Sequence, residues 1–277
     1  MRPETAARDV GPVLAVIRKS ELANYVLLPY IPGMPEVWIL GLMGLAVAGA
    51  FVAKGATGFG DSLIVVPLFL LMADIKFVLP VVLLTTICAD VYLLYHHHKE
   101  VHWRGLPVVI VTAVLGAVGG TLVLLRAQSD VLKIVFAVFV LLFAFRMLLK
   151  RTKKTTPRPP NAALGAAAGS TAGFIDAVLG TGGPPLIIYY DWLGLAKTAF
   201  RSTFVMLAFC LHSARVASYA LAGLIDRHMV LTATCLVPPM VLGALLGRKV
   251  HHRLNETLFS RIAACVLLVV GAKLLLT

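Results

Sequence analysis

The chain has 277 residues, of which 59% are hydrophobic and 14% charged, and its mean hydropathy is +0.90. Soluble domains carry about 25% charged residues, so a water-soluble globular fold is excluded, and the length leaves no room for a large soluble domain beside membrane spans. Basic residues outnumber acidic ones 25 to 13, but they sit in short loops between apolar segments, where they orient the protein and meet anionic lipid. Without a binding module they do not point to nucleic acid.

Residues 1–36 form an N-terminal segment of mixed charge, with Arg2, Arg8, Arg18 and Lys19 against Glu4, Asp9, Glu21 and Glu36. No long apolar core or small-residue cleavage site follows the basic residues, so no cleaved signal peptide is expected. Leu22 to Pro35 reads as a short interfacial helix interrupted by Pro29, Pro32 and Pro35. Apolar segments then fall at about 37–55, 62–73, 75–97, 105–125, 131–149, 161–179, 184–193, 197–222, 229–248 and 255–276. Most have the roughly 20 residues needed to cross hydrocarbon. The segments at 62–73 and 184–193 are too short to do so alone. Each follows a glycine break, Lys54-Gly55-Ala56-Thr57-Gly58-Phe59-Gly60-Asp61 in one case and Asp176-Ala177-Val178-Leu179-Gly180-Thr181-Gly182-Gly183-Pro184-Pro185 in the other. Irregular backbone at membrane depth is tolerated only where it is buried in protein or lines a cavity. A matched pair of such breaks, one in each half, points to a transport site.

The chain repeats. Residues 37–149 and 161–277 share one order: long helix, glycine break, short helix, three long helices. A basic, proline-rich linker at 150–160 joins them. Gly116-Ala117-Val118-Gly119-Gly120 answers Gly243-Ala244-Leu245-Leu246-Gly247, and small residues four apart let helix backbones approach closely. Those faces leave open whether the contacts lie within one chain or between the protomers of a homodimer. Ser129-Asp130 and Asn255-Glu256 open the last helix of each repeat as cap-type pairs. With five crossings per repeat, the basic stretches 96–104, 150–158 and 248–253 share one side, which the positive-inside rule makes cytoplasmic. With four, the last two fall on opposite sides. The expectation is therefore an all-α polytopic membrane protein of two inverted five-helix repeats, with both termini outside.

Amides exposed at a broken helix, with the positive helix end behind them, form an anion site without any side-chain charge. The substrate-contacting set expected on this basis is Thr57, Gly58, Phe59, Gly60 and Asp61 at the first break and Thr181, Gly182, Gly183 and Pro184 at the second. Ser62 is a further hydroxyl donor. The plainer reading is that the glycines only kink helices or allow tight packing. Charges inside spans are expensive and face protein or water. Aligning Gly60 with Gly183 puts Lys54 and Asp176 one position apart, with opposite charges, as an ion pair between the repeats or as substrate or proton groups. Asp90 and Arg215 also occupy roughly equivalent places. Asp90 either pairs with Arg215 or carries a proton, and Arg215 is a structural partner or an anion contact. Arg201 opens its helix as an interface anchor or a guard of the site entrance. His212 shares a helix face with Arg215 as a packed residue or a proton relay.

Cys88, Cys210, Cys235 and Cys265 lie in apolar segments without close spacing and are expected to be buried small apolar residues. His96-His97-His98 and His251-His252 stand among basic neighbours and do not read as a metal site. No cofactor is expected. No zinc-protease motif, nucleotide-phosphate loop or nucleophile elbow is present, so a membrane-embedded enzyme is the least supported class. A passive anion channel is the other alternative to a transporter. Trp38, Trp103 and Trp192 sit at segment ends as interface anchors.

The repeats and their breaks resemble the TauE/SafE family of sulfite and sulfonate exporters, the TSUP transporters. The resemblance is carried by Gly58-Phe59-Gly60-Asp61-Ser62 with Pro67 and by Gly180-Thr181-Gly182-Gly183-Pro184. Val101-His102-Trp103-Arg104 and Ala222-Gly223-Leu224-Ile225-Asp226 support it. It implies a secondary transporter of small, commonly sulfur-containing anions in a bacterial-type cytoplasmic membrane. Asp61 stands where the family pattern often has glycine, and a carboxylate there repels an anion unless protonated or paired.

Overall fold

The computed structural model describes residues 36–58, 60–97, 100–149, 158–250 and 256–276. Among the described residues the fold is all-helical: α1 (Glu36–Thr57), α2 (Asp61–Leu70), α3 (Ile75–His97), α4 (Leu106–Arg126), α5 (Ser129–Leu149), α6 (Ala162–Leu179), α7 (Gly183–Leu193), α8 (Lys197–Leu221), α9 (Arg227–Val250) and α10 (Glu256–Leu276). They follow the ten expected segments in order. The expected interfacial helix before Pro35, linker residues 150–157, Phe59, His98, His251-His252 and Asn255 lie outside the described residues.

Among the described residues, seven helices are long and apolar enough to cross a membrane: α1, α3, α4, α5, α6, α8 and α9. At 1.5 Å per residue, α2 with 10 residues and α7 with 11 reach about 15–16 Å, roughly half the hydrocarbon thickness. Local chemistry sets the ends. The Asn161 side chain accepts from Leu164 N–H at 3.0 Å to start α6, and Asp226 accepts from Met229 N–H at 2.8 Å to start α9. Leu115, Leu142 and Val269 are strongly exposed on the outside of the bundle, which is stable only against lipid. The chain is a multi-pass membrane protein.

The tightest helix contacts are backbone-on-backbone, and they lie within one chain. Along α4 and α6, a Cβ on Gly116 or Gly173 would collide with the carbonyl oxygen of Ser170 or Ala113, respectively. Along α1 and α9, Gly243 and Gly247 press on the carbonyls of Ala48 and Val52. Without a hydrophobic drive between helices in lipid, this close packing is what holds them together. Exchanging the two halves turns the first contact into the second: α4 on α6 becomes α9 on α1, and α4 on α8 becomes α9 on α3.

Two groups of hydrogen bonds fix which chain ends share an end of the bundle. Arg158 N–H donates to Leu193 O at 3.0 Å, His102 N–H donates to Thr203 Oγ1 at 2.8 Å, and the Arg158 guanidinium lies over Trp192. The turn before α4, the start of α6, the end of α7 and the start of α8 therefore sit together. At another place Ser129 donates to Asp74 at 3.1 Å, joining the starts of α3 and α5. Short α7 thus returns the chain to the end where α6 begins.

The cysteines depart from expectation. Cys88, Cys235 and Cys265 are exposed on the bundle surface and Cys210 is half-buried. Lipid accepts a small apolar side chain as readily as a protein core does, so hydropathy does not separate the two locations.

Gly173→Ala is expected to overpack the α4–α6 contact and cost about 1–3 kcal/mol. Gly119→Ala, which meets nothing within 4 Å, is expected to stay near neutral. Thermal unfolding of the detergent-purified variants checks both.

Candidate functional site

Each break ends its long helix in the same way. Gly58 N–H donates to Lys54 O at 2.7 Å and Gly180 N–H to Asp176 O at 2.8 Å. Both glycines take positive φ, 88° and 74°, which a side chain rarely adopts. Asp90 and His212 lie 122 residues apart, and the same interval separates Lys54 from Asp176, Gly58 from Gly180, Gly60 from Gly182, and the starts of α2 and α3 from those of α7 and α8. The register therefore matches Gly60 with Gly182, not with Gly183. It makes Lys54 and Asp176 true counterparts, and it gives Asp90 the counterpart His212 in place of Arg215.

Six ionisable side chains run through the interior as one chain. Lys54 Nζ bridges Asp61 Oδ2 at 3.1 Å and Asp90 Oδ1 at 2.7 Å. The other oxygen of Asp90 meets His212 Nδ1 at 2.5 Å. His212 Nε2 lies 3.8 Å from Asp176 Oδ1, and Arg215 Nη1 holds Asp176 Oδ2 at 3.2 Å. All six are buried. Thr86 donates to Asp61 Oδ2 at 2.9 Å, and Gly182 N–H donates to Asp176 Oδ1 at 3.0 Å. The Arg215 guanidinium also lies over the Tyr219 ring, 4.9 Å from its centroid. Two expected pairings are thereby corrected. Lys54 pairs with Asp61 and Asp90, not with Asp176, and Arg215 pairs with Asp176, not with Asp90. Helix rotation decides this, because α1 turns Lys54 toward α3 while α6 turns Asp176 toward α8.

Both breaks open onto one small cavity of about 40 Å³, lined by both polar and apolar residues. Of the expected residues, its wall holds Lys54, Gly58, Gly60, Asp61, Asp176, Thr181, Gly182, Gly183 and His212. Asp90, Pro184, Arg201 and Arg215 are not part of that wall, and nothing is described of the side chain of Thr57. Ser62, the further hydroxyl donor expected beside the first break, lines it as well, and Leu63, Leu186, Phe204, Ala208 and Leu211 complete it. The last three recur at the helical interval of His212 on α8, which is the sequence signal that finds them. The amides are less available than the glycine pattern implies. Those of Gly58, Gly180 and Gly182 already have protein acceptors, and Pro184 and Pro185 remove two N–H groups from the first turn of α7. The first turn of α2 lacks prolines, and its N–H groups have no intrahelical partner. The hydroxyls of Ser62 and Thr181 stand beside the cavity. Asp61 is paired, which removes the repulsion an isolated carboxylate would impose.

The two breaks are covered by counterpart positions of unlike chemistry. A Cβ at Gly58 would meet the Arg201 side chain at 2.9 Å, and one at Gly180 would meet Leu79 at 2.6 Å. Arg201 also donates through Nη2 to Gly55 O, tying the start of α8 to the end of α1.

Lys54→Met leaves Asp61 and Asp90 without their shared cation and is expected to cost about 3–5 kcal/mol of stability. Adding Asp61→Asn is expected to recover about 1 kcal/mol or more, because only Asp90 then stays charged and it keeps His212. Unfolding of the single and double variants measures the difference.

Comparison with known proteins agrees with this architecture. The family described as "Sulfite exporter TauE/SafE" matches residues 42–274. A relative from Cupriavidus necator, named "Probable sulfite/organosulfonate exporter TauE", is 26% identical over 245 residues, covering 86% of this chain and 94% of that protein. No solved structure matches. A family match spanning nearly every helix, on a bundle whose two glycine breaks share one cavity, places the chain in the sulfite exporter TauE/SafE family of membrane transporters.

Proposed function

We propose that the protein is a secondary transporter that carries a small sulfur-containing anion, sulfite or an organosulfonate, across the cytoplasmic membrane by alternating access and in company with protons. The observation that carries this reading is the cavity to which both glycine breaks contribute, because it joins the two halves where the long helices α1 and α6 are interrupted. The relative's name supplies the substrate class. The residues around the cavity suit it: Ser62, Thr181 and the first turn of α2 line it beside Lys54 and His212, which supply positive charge.

A twofold relation between the repeats is supported by contacts that convert into one another when the halves are exchanged, and five crossings in each repeat would make it an inverted one. Gly58 against Arg201 becomes Gly180 against Leu79, and Lys54 with Asp90 becomes Asp176 with His212. In this topology the turn before α4 and the linker face the cytoplasm, and both termini face outward. Rocking of one repeat against the other then exposes the cavity to each side in turn.

The test is uptake into proteoliposomes of labelled sulfite, thiosulfate, taurine, sulfoacetate and short carboxylates. Saturable uptake with counterflow of one anion is expected. Flux that neither saturates nor shows counterflow identifies a channel, and no flux from folded protein rejects the substrate class. Ser62→Ala and Thr181→Val each remove one neutral donor and are expected to raise the half-saturating anion concentration about 2- to 10-fold, with transport at saturation less affected.

A further inference from the structure

The ionic chain contains three carboxylates, Asp61, Asp90 and Asp176, but only two residues of fixed positive charge, Lys54 and Arg215. His212 decides the balance. It lies between Asp90 on α3 and Asp176 on α6, with Nδ1 against one and Nε2 toward the other. A neutral imidazole has one N–H and one lone pair, so it serves one carboxylate and turns a lone pair to the other. An imidazolium donates to both. Protonated, His212 makes the six-residue chain neutral. Deprotonated, it leaves the chain with one net negative charge beside the cavity, whose wall includes Lys54, Asp61, Asp176 and His212.

Among the described residues no second group is placed in this way. Facing His212 are Asp90 from α3, Asp176 from α6 and, through these, Lys54 of α1, Asp61 of α2 and Arg215 of α8 itself. Helix α4 also packs on α8, but its one ionisable residue, Arg126, stands in its last turn. Asp90 belongs to the first repeat, and Asp176 and His212 belong to the second. The imidazole therefore spans the junction that alternating access would have to move.

From this geometry we infer that His212 is the proton-carrying residue and that proton and anion occupy the site together, so that each transported anion is accompanied by a proton. The proton comes from solution to the free imidazole nitrogen on one side of the membrane and leaves from it on the other, and no other bond changes. This rests on the transporter reading above and adds its coupling residue and its sign: a rise in pH weakens anion binding.

The test uses the purified full-length protein with ethanesulfonate and thiosulfate, anions whose charge is constant from about pH 5 to about pH 9. Binding is measured by calorimetry across that range, and proton uptake is followed with an indicator dye in weak buffer. Wild type is expected to bind about 2- to 10-fold more weakly at the alkaline end, and to take up a large fraction of one proton per anion there. His212→Gln is expected to abolish the uptake and to leave weak, pH-independent binding. His212→Lys, a fixed cation in the same place, is expected to bind independently of pH with affinity nearer the acid wild type. If wild type binds either anion with no pH dependence and no proton uptake, the inference falls and the transporter reading stands. Proton uptake that persists in His212→Gln moves the coupling to a carboxylate and also overturns it. Binding of neither anion to folded wild type at any pH overturns both readings. Should neither variant fold, the wild-type proton count alone decides.

Discussion

A carboxylate stays charged inside a membrane protein only with a cation or several donors against it, and here that requirement ties together five helices drawn from both halves of the chain. Asp61 opens α2, Lys54 lies in the last turn of α1, Asp90 is deep in α3, Asp176 is near the end of α6, and His212 and Arg215 share one face of α8. Each charge is satisfied mainly by a residue on another helix. Rotating any of these helices would strand at least one charge, and a stranded buried charge costs far more than a lost surface pair. The chain of charges thus fixes helix rotation where apolar packing alone is permissive. It does so beside the cavity, where precision matters most. The pairing also answers the objection to an acidic residue at position 61: Lys54 and Thr86 hold its charge in place.

The close backbone contacts do complementary work. Glycine against carbonyl holds α4 to α6 and α1 to α9 in nearly the same way, so each long broken helix is clamped to the fourth helix of the opposite repeat. The breaks hang from the ends of these clamped helices. Rigid supports on either side hold the ends of the breaks in place, and the positive-φ glycines Gly58 and Gly180 end the long helices there at little cost.

Much of this was legible in the sequence, for identifiable reasons. Apolar runs near 20 residues, separated by polar turns, give helix count and order, and duplicated Gly58/Gly60 and Gly180/Gly182 give the breaks. The small-residue stripes at Gly116–Gly120 and Gly243–Gly247 reveal close contact but not the partner, because a stripe carries no address. Pairing was the hardest to read. Opposite charges at matching positions, Lys54 and Asp176, invite a bond, yet each turns to a neighbour whose depth and rotation no one-dimensional pattern encodes. The donors showed the same limit. Glycines advertise open amides, but the Asp176 side chain takes that of Gly182, and this is visible only once α6 and α7 are folded back on each other.

The two halves share a backbone plan and differ in charge at the places that matter. Lys54 answers Asp176, Asp90 answers His212 and Leu79 answers Arg201. In the alternating-access reading, two inverted repeats of identical chemistry would interconvert between states of equal energy, since each state would be the image of the other. These exchanges remove that degeneracy. Arg201 binds the carbonyl of Gly55 and covers the first break, whereas Leu79 offers the second break only apolar contact from its side chain. The half that opens at the first break must therefore give up a charge-assisted hydrogen bond, and the half that opens at the second gives up packing. Charge placement on a symmetric scaffold, without any change of fold, is enough to make the two sides of such a transporter unequal.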